Sequence, residues 1–79
     1  MNTYSNYEMI DNLTTSETIV LKLLANGKSN IEIANELIIS PHTAKAHVSH
    51  ILSKLQVENR VQAAVKAVKE NIIDFNKLS

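Results

Sequence analysis

SNIEIANELIISPHTAKAHVSHILSKL, residues 29–55, reads as two helices joined by a very short connection. Ser29 is followed three residues later by Glu32, the reciprocal pairing that caps a helix start. Ile33, Ala34 and Leu37 then supply the buried side of a short helix over about 30–37. Ser40-Pro41 opens the next helix, with serine as cap and proline where its missing amide costs nothing. At 100° per residue Ala44, Val48, Ile51 and Leu55 fall on one stripe, with Leu52 at its edge. Between the two helices Ile38 and Ile39 bring no turn chemistry of their own and are expected to form a buried connector.

The side of this second helix opposite its apolar stripe carries His42, Ala46, Ser49 and Ser53, flanked by Lys45 and His50. It has no large apolar group, and no carboxylate occurs from His42 through Lys54. A helix that needs only solubility mixes glutamates into its wet face. Their absence points to a polyanion.

Working outward, Thr14-Thr15-Ser16-Glu17 is a second capping box. It starts a helix over about 15–26 whose apolar face is Ile19, Val20, Leu23 and Leu24. Gly27, the only glycine, follows as the left-handed stop. Downstream, Asn59 caps a helix over about 59–71 with Val61, Ala64, Val65, Val68 and Ile72 expected to face the core. Ala63 and Ala67 form a narrower stripe on its far side, between Arg60, Lys66 and Glu70, where small residues four apart would let another helix approach. One glycine and one proline leave little material for hairpins. The fold class is all-α, with four helices.

The 79 residues suffice for one domain, placed at 13–73 with a flexible leader at 1–12 and a short tail at 74–79. The leader is compatible with a stand-alone protein and with part of a longer one. Apolar residues make up 44% of the chain, enough to bury a modest core. Cysteine is absent, which excludes disulfides, thiolate metal sites and cysteine nucleophiles, and fits a reducing cytoplasm. No apolar run approaches the roughly 18 residues of a membrane span, and residues 1–12 lack the basic-then-apolar order of a signal peptide. A cytoplasmic protein without a membrane partner is expected. His47 and His50 are three apart but have no carboxylate or thiolate beside them, so no metal is expected. Without a glycine-rich loop, paired carboxylates or an acid orienting the serines and histidines, neither catalysis nor a cofactor is expected.

Net charge is zero, yet its distribution is uneven. Residues 1–20 carry Glu8, Asp11 and Glu17 and no lysine or arginine, whereas residues 41–69 carry Lys45, Lys54, Arg60, Lys66 and Lys69 against Glu58 alone. Such polarity can orient a neutral molecule on phosphate.

Short helix, tight connection and serine-capped helix together are the helix-turn-helix plan. LTTSE at 13–17, VLKLLANGKSNIEIANEL at 20–37, ISPHTAKAHVSHILSKLQV at 39–57 and RVQAA at 60–64 carry a more specific likeness. In these strings residues 13–73 resemble the DNA-binding domain of the LuxR family, also called the GerE or NarL type. The resemblance implies a four-helix transcription-factor domain with a third helix that reads double-stranded DNA and a fourth that commonly dimerises. It places Lys45, Ala46 and Ser49 at base edges, and Asn30, Ile31, Thr43 and Lys54 near phosphate. The outward His42, His50 and Ser53 join the phosphate set. Arg60, Ala63, Ala67 and Glu70 become the dimerisation set. The implied partners are duplex DNA, a second copy of the chain, and RNA polymerase or a sensor or receiver domain.

Departures from the family pattern shape this expectation. Ser16 and Thr18 stand where arginines are frequent, Ile19 where an acid is usual, and Ile31 where lysine is frequent. Ala44 replaces a frequent valine and Gln56 a frequent glycine. Each missing cation removes a phosphate contact, so salt dependence should be shallow. With Lys45 beside a methyl and a hydroxyl, direct readout is thin and recognition should lean on shape and phosphate contacts. The alternative is a protein-interaction module that retains the helix-turn-helix fold and docks another regulator. Zero net charge supports it; the carboxylate-free face opposes it.

Overall fold

The computed structural model describes residues 13–72, which contain four helices and no strand. They are α1 (Thr15–Ala25), α2 (Asn30–Leu37), α3 (Pro41–Leu55) and α4 (Arg60–Lys69). The leader expected at 1–12 and the tail expected at 74–79 lie outside the described residues.

Each helix starts on the cap its sequence announces. Thr14 and Glu17 exchange both bonds of a capping box, as do Ser29 and Glu32. The Ser29 amide, helped by its hydroxyl, holds the exposed Glu32 carboxyl below the usual range. Ser40 accepts from the Thr43 amide ahead of Pro41, and Asn59 accepts from the Gln62 amide.

The ends share one device. Gly27, Ile38, Gln56 and Asn71 all sit at positive φ (89°, 57°, 58° and 59°). The following amides then reach back five residues, Lys28 to Leu23, Ile39 to Ala34, Val57 to Leu52 and Ile72 to Ala67. This closure satisfies carbonyls that the helix leaves open. Glycine adopts it freely, asparagine tolerates it, and a β-branched residue is strained by about 1–2 kcal/mol. Ile38 is therefore no buried connector. It is 91% exposed in left-handed backbone, because the cap directs its side chain outward and sends only Ile39 toward the core.

The core joins α1 (Val20, Leu21, Leu24), α2 (Ile33, Ala34), α3 (Ala44, Val48, Ile51, Leu55) and α4 (Ala63, Ala67). The α3 stripe agrees residue for residue with the sequence reading. In α1 the buried face is turned slightly, so Leu21 is buried and Ile19 is 42% exposed.

In α4 the expected faces are exchanged. Ala63 and Ala67 have no exposure, while Val61 and Val65 are 68% and 58% exposed. Ala64, Val68 and Ile72 pack only partly on the core. α4 makes its main contacts with α1, where small residues let two helix axes come close. A stripe of alanines serves that approach better than one of valines.

Two polar clamps hold the helices at their ends. Glu17 in α1 is 5% exposed and its Oε1 lies 2.7 Å from Lys54 Nζ near the end of α3. Burial pushes the Glu17 carboxyl up, but hydrogen bonds from Lys54 and Thr14 outweigh this and hold it below its ordinary value. At the other end Arg60 donates from Nη1 to Asn30 Oδ1 at 3.1 Å and from Nη2 to the Lys28 carbonyl at 2.8 Å. α4 is thereby tied to the start of α2.

Candidate nucleic-acid interface

The outer side of α3 is built from its buried side. Ala44, Val48, Ile51 and Leu55 fix its rotation, and the 100° step sends His42, Lys45, Ser49, His50 and Ser53 into solvent. Ala46 is half-buried between them. Lys45, Ala46 and Ser49 therefore lie on one open strip, as the sequence places them. Thr43 is exposed in the first turn, and its Oγ1 accepts from Ser40 Oγ at 2.9 Å. Its own hydroxyl proton remains available to a phosphate oxygen.

The second candidate patch is the start of α2. Asn30 is half-buried and its side-chain oxygen is engaged by Arg60. Ile31 is 63% exposed. An isoleucine side chain has nothing to offer phosphate, but the first amides of a helix lack intrahelical acceptors. The donors this patch can offer a phosphate are those backbone N–H groups and the side-chain N–H groups of Asn30, whose Oδ1 alone is taken by Arg60.

Lys54 is placed differently from the other cations. Its ammonium is committed to Glu17, and the side chain is 33% exposed. The two residues are 37 apart in sequence, beyond the reach of any helical pattern. His47 is half-buried and lines a small pocket of about 190 Å³ with Ser16, Ile19, Leu37 and Ile39, apart from the α3 strip. Among the described residues no group of three or more histidines or acids is arranged to hold a metal, and no helix is long and apolar enough to cross a membrane.

The expected dimerisation set is dispersed by the fold. Ala63 and Ala67 are enclosed in the core and offer no surface to another helix. Arg60 turns inward to Asn30 and Lys28, and Glu70 lies 3.8 Å from Lys66. The surface α4 does present is a ridge of Val61 and Val65 between two open grooves of about 490 and 610 Å³. One groove runs along Leu24, Gly27 and Ala64, the other along Val57, Lys66 and Lys69. Val61 and Val65, spaced four apart on the wheel, are the sequence signal for this ridge, although hydrophobicity alone directs them to the core.

Residues 11–67 match the family model described as bacterial regulatory proteins, luxR family. The chain belongs to the LuxR family. Among its relatives, the transcriptional regulatory protein YhcZ of Bacillus subtilis is 57% identical over 60 residues, covering 76% of this chain and 28% of its own. The response regulator protein VraR of Staphylococcus aureus is 47% identical over 66 residues, 84% of this chain and 32% of its own. The transcriptional regulatory protein LiaR of Bacillus subtilis is 45% identical over 64 residues, 81% of this chain and 30% of its own. The chain thus spans under a third of the length of these LuxR-family relatives.

Proposed function

We propose that this LuxR-family domain binds double-stranded DNA with sequence preference and regulates transcription from it, with α3 in the major groove. The observation that carries the reading is the outer side of α3, open to solvent over its length and free of carboxylate. Lys45 is the principal base-reading group, able to donate to the acceptor edge of guanine. Ala46 allows close approach or meets a thymine methyl, and Ser49 donates or accepts. His42, Thr43, His50 and Ser53 reach phosphate along the groove walls, with the amides of Asn30 and Ile31 on the neighbouring strand. Lys54 acts there through its charge only as far as Glu17 leaves it.

Two copies bind half-sites about one helical turn apart, joined through the Val61–Val65 ridge of α4. Ridge and flanking grooves suit a two-fold contact in which each copy's valines enter the other's groove. The work is done in the bacterial cytoplasm, on the nucleoid. Response-regulator relatives of more than three times the matched length leave room for a sensor or receiver domain as the source of the signal.

The test is selection of duplexes from a random pool, followed by anisotropy titration at about 50 and 200 mM salt. Enrichment of a short motif repeated about one turn apart, with modest salt dependence, is the expected result. A chain that binds no duplex at the lower salt would instead favour a protein-docking module.

A further inference from the structure

Arg60 is a half-buried cation whose two acceptors are both uncharged. It meets Asn30 Oδ1 at 3.1 Å and the Lys28 carbonyl at 2.8 Å. Among the described residues no carboxylate lies within ion-pair distance of it. Glu32, the carboxylate in the first turn of α2, is committed to the Ser29 amide and faces Lys28. The guanidinium is therefore set against the amide end of a helix, where a positive charge is repelled and an anion is welcome.

The bond to Asn30 fixes more than the crossing of α4 and α2. A guanidinium carries donors only, so the side-chain oxygen of Asn30 has to face it. The amide group is planar, and its nitrogen is then turned away from Arg60. That nitrogen makes no bond within the described residues and is not buried. Two side-chain N–H donors are thus held ready beside the open backbone amides of Asn30 and Ile31. Left alone, an asparagine at a helix start samples other rotamers and bonds its own backbone. Ordering it only on binding would cost affinity.

We propose that Arg60 is a positioning residue for DNA binding. It holds the Asn30 amide in the one orientation that donates to a phosphate oxygen, and touches no phosphate itself. The proposal rests on the DNA-binding reading above and deepens it. Arg60, which the family pattern sets on the dimerisation surface, serves the phosphate contact of α2 from the start of α4.

The experiment is a double-mutant cycle on affinity for the selected duplex, with urea unfolding showing that each variant is folded. Asn30→Ala should weaken binding about five-fold and Arg60→Ala about three-fold. The double variant should bind no more weakly than Asn30→Ala alone. A general structural role, or direct use of the Arg60 charge, would weaken binding again in the Asn30→Ala background, and that result overturns the proposal. If Arg60→Ala does not fold, Arg60→Lys, which keeps the charge and loses the two-nitrogen fork, takes its place in the cycle. In heteronuclear NMR spectra the Asn30 side-chain N–H signals should shift when duplex is added to the parent, and much less in the Arg60 variant. Signals that stay in place in the parent, or full affinity in Asn30→Ala, overturn the proposal and leave the DNA-binding reading standing. A parent chain that binds no duplex overturns both.

Discussion

α3 and α4 carry similar information in sequence and resolve it differently. In α3 one stripe is large and apolar and the other small and polar, so only one rotation buries the right atoms. In α4 both stripes are apolar, valine on one side and alanine on the other. Hydrophobicity alone favours burying the valines. The structure buries Ala63 and Ala67 instead, because α4 lies against α1 and the gap accepts only small side chains. Where two faces are both apolar, volume decides, and the larger one is left on the surface.

That conclusion breaks most readily at Ala67. Ala67→Leu forces three more carbons into a site with no exposure, and should destabilise the fold by about 3 kcal/mol in urea titration. Val65→Ser, 58% exposed, should stay within about 0.5 kcal/mol of the parent while weakening self-association in sedimentation. The opposite pattern, a tolerant Ala67 and a fold that needs Val65, would restore the alanine stripe as the outer face.

The clamps differ as the faces do. Glu17 is nearly buried, caps α1 and pairs with Lys54 of α3 at 2.7 Å, so Glu17→Ala loses a cap and an ion pair together. A cost of about 2 kcal/mol is expected. Arg60 binds only uncharged acceptors, so Arg60→Ala should cost about 1 kcal/mol. Acid separates the two. Glu17's carboxyl is held below its ordinary value near 4.5 in the folded chain. Its stabilising contribution is therefore complete above that ordinary value and disappears as pH falls through the lower, folded one. Glu17→Gln should flatten the acid limb of the stability curve, whereas Arg60→Ala should keep it.

On DNA the contrast between the helices should persist. Lys45→Ala removes the exposed cation of the α3 strip and should weaken duplex binding by about 1–3 kcal/mol, with relaxed preference at one base position. Lys66→Ala in α4, beside Glu70 at 3.8 Å, should leave affinity for a single half-site nearly unchanged. Equal losses in the two variants would mean that general charge, and not the α3 strip, holds the duplex.

Local chemistry made most of the fold legible. Thr14–Glu17, Ser29–Glu32, Ser40–Pro41 and Asn59 announce helix starts within one turn, and Gly27 announces an end, so element boundaries came out within two residues. The α3 strip was legible for the same reason. Its two stripes differ in polarity as well as size. The Glu17–Lys54 pair and the inward turn of Arg60 were not, since each joins groups more than 29 residues apart and depends on how the helices cross. Ile38 departs from its sequence pattern, since an apolar residue between two helices ordinarily reads as core. Only the cap geometry shows that its side chain leaves the molecule.

The smallest effects test the helix ends. α3 stops at Gln56 and α4 runs into Asn71, at nearly equal φ of 58° and 59°. Glutamine gains nothing in left-handed backbone, while asparagine is the side chain that tolerates it best after glycine. Gln56→Gly relieves about 1–2 kcal/mol of strain and gives back about 0.4–1 kcal/mol through the freer unfolded chain. A net gain of about 0.5–1 kcal/mol should appear as a higher urea midpoint. Asn71→Gly relieves little and incurs the same entropy, so it should change stability by a few tenths of a kcal/mol at most. Gains of equal size at both ends would mean that the residue type is immaterial there. In that case the strain assigned to Ile38 would also be too large, because its φ of 57° belongs to the same conformation.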